Sequence, residues 1–275
     1  MVPLVTPFRD NERIDFTAWQ EILDALMAGG VNGILAAGIE GEFQSLSEEE
    51  RVVALRFCRQ ALAGRAPLYG NIGSASTRES VRLAQAAEAE GVDCLVAVSP
   101  YIWEPSPDEL VDHYVEICHA VRVAVFGYRE RHTGFGGRIE AQAENFAGFL
   151  DSGEASGPAL ESMRAGSGAL VSACANVAPR ALVEMWKAFH GGRLEDASRL
   201  DALVEPLRRA LPLHTYPAAI KEAMRLAGLP AGVCRRPAGP VPPAVRETLA
   251  AIVATLRDAR CLPEPVPGTR TGTAA

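Results

Sequence analysis

MAGGVNGILAAG, residues 27–38, reads as the end of a helix, a stop and a buried strand. Gly30 supplies the left-handed residue that ends a helix at low steric cost, and Ile34-Leu35-Ala36 follows as a short apolar run without polar alternation. A strand that is apolar at every position is covered on both faces, the condition of a parallel sheet lined by helices. The pattern recurs in EAEGVDCLVAVS (88–99), which stops at Gly91, and in MRAGSGALVSAC (163–174), which stops at Gly166. Each is a junction from helix to strand.

Working outward, apolar runs at 3–7, 67–72 and 121–127 fit the same strand role, each followed by polar residues. Ser-x-x-Glu capping boxes at Ser47/Glu50, Ser76/Glu79 and Ser106/Glu109 mark helix starts, the last with Pro107 at the first helical position. Such alternation admits an open doubly wound sheet or a closed barrel, and no G-x-G-x-x-G follows the first strand. The expected fold is α/β, a TIM-type (β/α) barrel. After Asn176 the pattern turns wholly helical: VAPRALVEMWKAFHGG, RLEDASRLDALVEPLRRAL, PAAIKEAMRLAGL and PPAVRETLAAIVATLRDA. The boundaries that follow are a barrel over 1–175, C-terminal helices packed on it over 176–262, and a loose Pro/Gly/Thr-rich tail over 263–275.

The 275 residues, 48% of them hydrophobic, can bury one large core. A net charge of −7 leaves no basic footprint, which argues against nucleic acid and anionic membranes and for a small-molecule partner. The six cysteines lack C-x-x-C pairing and sit mostly in apolar segments, as free thiols in a reducing cytoplasm do. No signal-like stretch and no apolar run near 18 residues is present, so a cytoplasmic location is expected. The histidines lack metal-ligand spacing, and Gly70-Asn71-Ile72-Gly73-Ser74 lacks the Lys-Ser/Thr of a phosphate loop. Neither metal nor cofactor is expected.

PLVTPF (3–8), GIEGEFQSLSEEER (38–51), GNIGSAST (70–77), SPYIWEPS (99–106), VAVFGYRERHTG (123–134), GALVSACANVAP (168–179) and TYPAAIKEAMRLAGLP (215–230) occur in the order seen in the dihydrodipicolinate synthase and N-acetylneuraminate lyase family. The chain resembles that family over nearly its whole length. The resemblance implies a (β/α)8 barrel, usually tetrameric, in which a lysine ending the sixth strand forms a Schiff base with pyruvate or another 2-oxo acid. It also implies a tyrosine after the fifth strand that relays protons, and a Thr-Thr pair in a G-T-T-G-E motif that holds the carboxylate.

Against that pattern, Gly38-Ile39-Glu40-Gly41-Glu42 stands at G-T-T-G-E, Phe126 at the strand-five tyrosine, and Ile102 at the second tyrosine of P-Y-Y. The lysine's stretch is best matched by Asn145–Asp151, which puts Leu150 at the lysine. NFAGFLDSGEAS (145–156) also matches the end of the family's seventh strand, so it starts like strand six and ends like strand seven. About 25 to 30 residues, roughly one βα unit, are absent by this comparison. Which of the two strands is lost stays open. Closure with seven main strands, or an irregular one over 134–156, is expected. Lys187 and Lys221 fall in segments that a barrel places among its outer helices, so neither is expected to replace the lysine, which needs a buried site and a depressed pKa.

The titratable residues expected at the barrel mouth are Glu40, Tyr128, Arg129, Arg131, His132 and Glu154. Glu40 is a candidate acid or base, because burial favours its neutral form, or it is a filler ion pair with Arg131. Tyr128, two residues past Phe126 on a strand of period two, faces the same side, and His132 is a candidate proton-transfer group or a solvated loop residue. Arg131 would bind a substrate carboxylate, with Gly38, Ile39, Phe126 and Leu150 lining the ligand. Two functions follow: acid/base chemistry without a Schiff base on a small carboxylate or 2-oxo acid, or a pseudoenzyme acting as a binding or structural subunit. A homo-oligomer built around Ile102 and Trp103, or assembly with an intact homologue, is the expected quaternary state.

Overall fold

The structure is a computed structural model that describes residues 1–128, 133–150 and 159–263. The junction glycines stop helices as expected: Gly30, Gly91 and Gly166 have φ of +82°, +78° and +90°. The strands β1 (Val2–Pro3), β2 (Ile34–Ala36), β3 (Leu68–Asn71), β4 (Cys94–Val98), β5 (Ala124–Tyr128) and β6 (Phe146–Leu150) pair in sequence order, all parallel. Between them run α1 (Phe16–Ala28), α2 (Glu48–Leu62), α3 (Thr77–Ala89), α4 (Pro107–His119) and α5 (Gly136–Glu140). Both halves of the capping box form at Ser47/Glu50 and Ser106/Glu109. At Ser76 only the serine half does, because the Glu79 carboxylate accepts from Ser74 Oγ at 2.6 Å.

After α6 (Ala159–Arg164) the chain returns along the free edge of β1. Met1 N donates to Leu170 O at 2.8 Å, and Ser172 N donates to Met1 O at 3.4 Å. Asn176 locks this return, its amide donating to Pro3 O at 2.8 Å and its Oδ1 accepting from Val5 N at 3.3 Å. Leu35, Val96, Tyr128, Leu150 and Val171 form one buried cluster, so the two ends of the strand row meet on the inner side. The sheet therefore curls as a barrel does. Among the described residues nothing pairs with the far edge of β6.

The 145–150 half of the ambiguous stretch is one strand with an irregular register: Phe146 pairs with Val125, then Phe149 with Gly127 and Leu150 with Tyr128. Phe149 packs outward, edge-on to Tyr114 and Phe135 at 5.6 Å each. Leu150 turns inward. Despite glycines at 134, 136 and 137, residues 133–137 form a 3-10 turn at 133–135 and the start of α5. Ile139 is fully buried and pins that segment to the core.

The C-terminal run folds as α7 (Pro179–His190), α8 (Leu194–Ala210), α9 (Ala218–Ala227) and α10 (Pro243–Asp258). Lys221 of α9 is not the solvent-facing residue expected of an outer helix. It is 1% exposed, with Nζ 2.5 Å from Glu42 Oε1, 2.7 Å from Val233 O and 4.5 Å from the Phe8 ring centre. Burial pushes its pKa below the usual lysine value, against the opposing pull of Glu42.

Two predictions arise from these contacts. Lys221→Met strands the buried Glu42 carboxylate, and chemical denaturation should show a loss of about 3–5 kcal/mol. Adding Glu42→Leu should recover much of that loss, because an apolar pair of similar volume is close to neutral; an unaffected single variant would remove the pair from the stabilising contacts. His113 of α4 is 3% exposed, has Nδ1 2.8 Å from Thr77 Oγ1, and is pushed by burial down to about 4. The unfolded chain binds that proton near the ordinary histidine value of about 6.5. Stability is thus complete above that value and is lost as pH falls toward the folded one, by about 2 kcal/mol between roughly pH 7.5 and pH 5. Urea midpoints should show this slope, and His113→Asn should flatten it.

Candidate active site

The turn that leaves β2 carries the acidic groups. Ala37 and Glu42 flank it with φ of +52° and +57°, left-handed values that non-glycine residues seldom take. Glu42 N donates to Ile39 O at 3.0 Å and Phe43 N to Gly38 O at 3.2 Å, which folds the turn back on itself. Gly41 lets it press on the end of β1: a Cβ there would stand 3.0 Å from Leu4 O and 3.1 Å from Thr6 Oγ1. Thr6 Oγ1 uses that approach to donate to Gly41 O at 2.8 Å.

Within this turn the two carboxylates go separate ways. Glu40 is 0% exposed, and the Tyr216 hydroxyl donates to its Oε1 at 2.7 Å. Glu42, 3% exposed, meets Lys221 through Oε1 and accepts from Arg235 N through Oε2 at 2.9 Å. Arg235 continues outward to the Glu50 carboxylate at 2.5 and 2.6 Å, holding Glu50 below the usual carboxylate range. Buried carboxylates require such donors, since an unpaired charge out of water costs several kcal/mol.

The structure brings several of the sequence candidates together. Ile39 and Phe126 pack against the inner cluster that contains Tyr128 and Leu150. Tyr128 ends β5 fully buried, paired across the sheet with Leu150. Phe126, two residues earlier on β5, is half-buried, its ring 6.0 Å from Tyr69. Gly38 is buried at the start of the acidic turn. Arg129, Arg131, His132 and Glu154 lie outside the described residues. Sequence reading missed Tyr216, which is 176 residues from its carboxylate partner. A bulky hydroxyl in TYP directly before α9 was the only available signal.

Two open grooves of about 660 Å³ each flank the turn from outside, one lined by Glu42, Gln44, Tyr216 and Arg235, the other by Lys221, Arg225 and Cys234. Burial pushes the Cys234 thiol up to about 12, so it is no ready thiolate nucleophile at neutral pH. Among the described residues no cluster of His, Cys, Asp and Glu could hold a metal ion, and no helix is long and apolar enough to cross a membrane.

The family model described as "Dihydrodipicolinate synthetase family" matches residues 1–131 and 139–256. A 4-hydroxy-tetrahydrodipicolinate synthase of Bartonella quintana is 31% identical over 289 residues, covering 95% of this chain and 97% of that protein. The synthase of the same name from Acidiphilium cryptum is 29% identical, covering 93% and 97%. A crystal structure of the chloride-inhibited dihydrodipicolinate synthase of Acinetobacter baumannii, complexed with pyruvate, superposes with a TM-score of 0.86 at 25% identity over 93% of this chain and 97% of that one. Matched from the barrel strands through the C-terminal helices along nearly its whole length, the chain belongs to the dihydrodipicolinate synthetase family.

Proposed function

We propose that this protein is a lyase-like member of its family that acts on a small carboxylate or 2-oxo acid by acid/base chemistry, without a Schiff base. The observation that carries this reading is Glu40, a fully buried carboxylate at the C-terminal end of β2, held by a tyrosine hydroxyl. In the family pattern that position is a neutral threonine, so the mouth exchanges a hydroxyl for a proton-transfer group. Tyr128 and His132 are its proposed partners, and Arg131 is the proposed anchor for the substrate carboxylate. The two lysines are engaged elsewhere: Lys187 pairs with Glu184 on the exposed face of α7, and Lys221 with Glu42. Leu150, at the lysine's place in the family pattern, is buried among apolar neighbours.

A second reading, a pseudoenzyme that binds a ligand or completes an assembly, is favoured by the same apolar filling of the barrel interior, where Tyr128, Leu150 and Val171 pack together. Proton exchange separates the two. In deuterated water the protein should catalyse hydrogen–deuterium exchange at C3 of a 2-oxo acid, and Glu40→Gln should lower the rate by about 100-fold or more. Borohydride added with pyruvate should leave the protein mass unchanged. Binding without exchange supports the pseudoenzyme, and a stoichiometric mass gain at Lys221 or Lys187 overturns both readings.

The proposed assembly is a homo-oligomer. Ile102 is 87% and Trp103 69% exposed, and Ile102 holds φ +80°, a strained value for a β-branched side chain. Burying each against a second copy would gain about 1.5–3 kcal/mol. Sedimentation at micromolar concentration should give a dimer or larger, shifted toward monomer by Trp103→Ala; a monomeric wild type would refute the assembly.

A further inference from the structure

We propose that Tyr216 is a positioning residue for Glu40, so that the segment entering α9 supplies part of the barrel-mouth site. The proposal rests on the reading of Glu40 as the acid/base group. Its basis is a double grip on one turn. Tyr216 and Lys221 stand five positions apart in sequence and reach Glu40 and Glu42, which stand two apart.

Each grip limits the other. Lys221 Nζ is fixed by Glu42 Oε1 and Val233 O, which sets the position of the first turns of α9 against the acidic turn. The residues around Tyr216 are tied into that helix start, with Ala218 N donating to Thr215 O at 2.9 Å and Lys221 N to Pro217 O at 3.2 Å. The phenol is thereby delivered to Glu40 from a rigid element rather than from a free loop. Glu40 itself has no solvent contact, so its charged form depends on the donors that reach it. A hydroxyl donor at 2.7 Å stabilises the carboxylate over the carboxylic acid and fixes which oxygen faces away from the phenol. The other side of Tyr216 lines the groove shared with Gln44 and Arg235, so a change in the phenol is sterically tolerable.

The test measures the titration of Glu40 by isotope-edited infrared spectroscopy of the full chain, with Glu40→Gln to assign the band. Tyr216→Phe keeps the ring and removes the donor, and should raise the Glu40 titration by about one pH unit, the equivalent of one hydrogen bond to a charged group. Replacing Tyr216 by 3,5-difluorotyrosine strengthens the donor and should lower it. Unfolding midpoints of both variants confirm that the fold is intact. Opposite shifts in the two variants support the proposal; a Glu40 titration unchanged in both overturns it. Failure of the acid/base reading is a separate result, because it appears as C3 exchange that survives Glu40→Gln, whatever the Tyr216 variants do to the titration.

Discussion

The Lys221 ammonium and the Glu42 carboxylate meet where almost no water reaches either group. A pair so placed adds little net stability over an apolar pair of the same shape, but it punishes any arrangement that separates its members. Its effect is therefore one of register. It fixes α9 against the turn leaving β2, and with α9 come Tyr216, Val233 and the segment carrying Arg235. Phe8, from the chain after β1, lies under both Lys221 and Arg235, each 4.5 Å from its ring centre. Strand β1, the acidic turn and the C-terminal helices thus share one anchorage, and the geometry around Glu40 is inherited from it.

The parts of the fold written in local chemistry were legible in the sequence. Left-handed glycines, capping boxes and unbroken apolar runs depend on a few neighbouring residues, and the helix starts at Ser47 and Ser106 form as their spacing requires. Long-range partnerships were not legible. Lys221 reads as one more basic residue on an amphipathic helix, and only the packing of α9 on the mouth buries it. Tyr216 reads as a turn residue before a proline, and Glu40 as a carboxylate of unknown partner. Segment 133–140 shows tertiary burial overriding composition: it holds Gly134, Gly136 and Gly137, yet Phe135 and Ile139 bury themselves and impose helical turns.

Where the chain departs from the family pattern, the departures cluster. By the resemblance, Leu150 at the end of β6 stands where the pattern has lysine, and Glu40 on the turn after β2 stands where it has threonine, both at the same end of the barrel. Among the described residues, an ammonium at position 150 would enter a cluster of Leu35, Val96, Tyr128 and Val171 that is mostly apolar. In the proposed reading the site has moved across the barrel, from a nucleophile on β6 to a carboxylate on the turn after β2, gripped by Tyr216 from the segment that enters α9.

That shift is tested most directly by a crystal structure of the protein soaked with a 2-oxo acid. The ligand should sit at the mouth within hydrogen-bonding distance of the Glu40 side chain, with no covalent bond to the protein. Continuous density from the ligand's C2 to Lys221 Nζ, or a ligand bound away from Glu40 altogether, would contradict it.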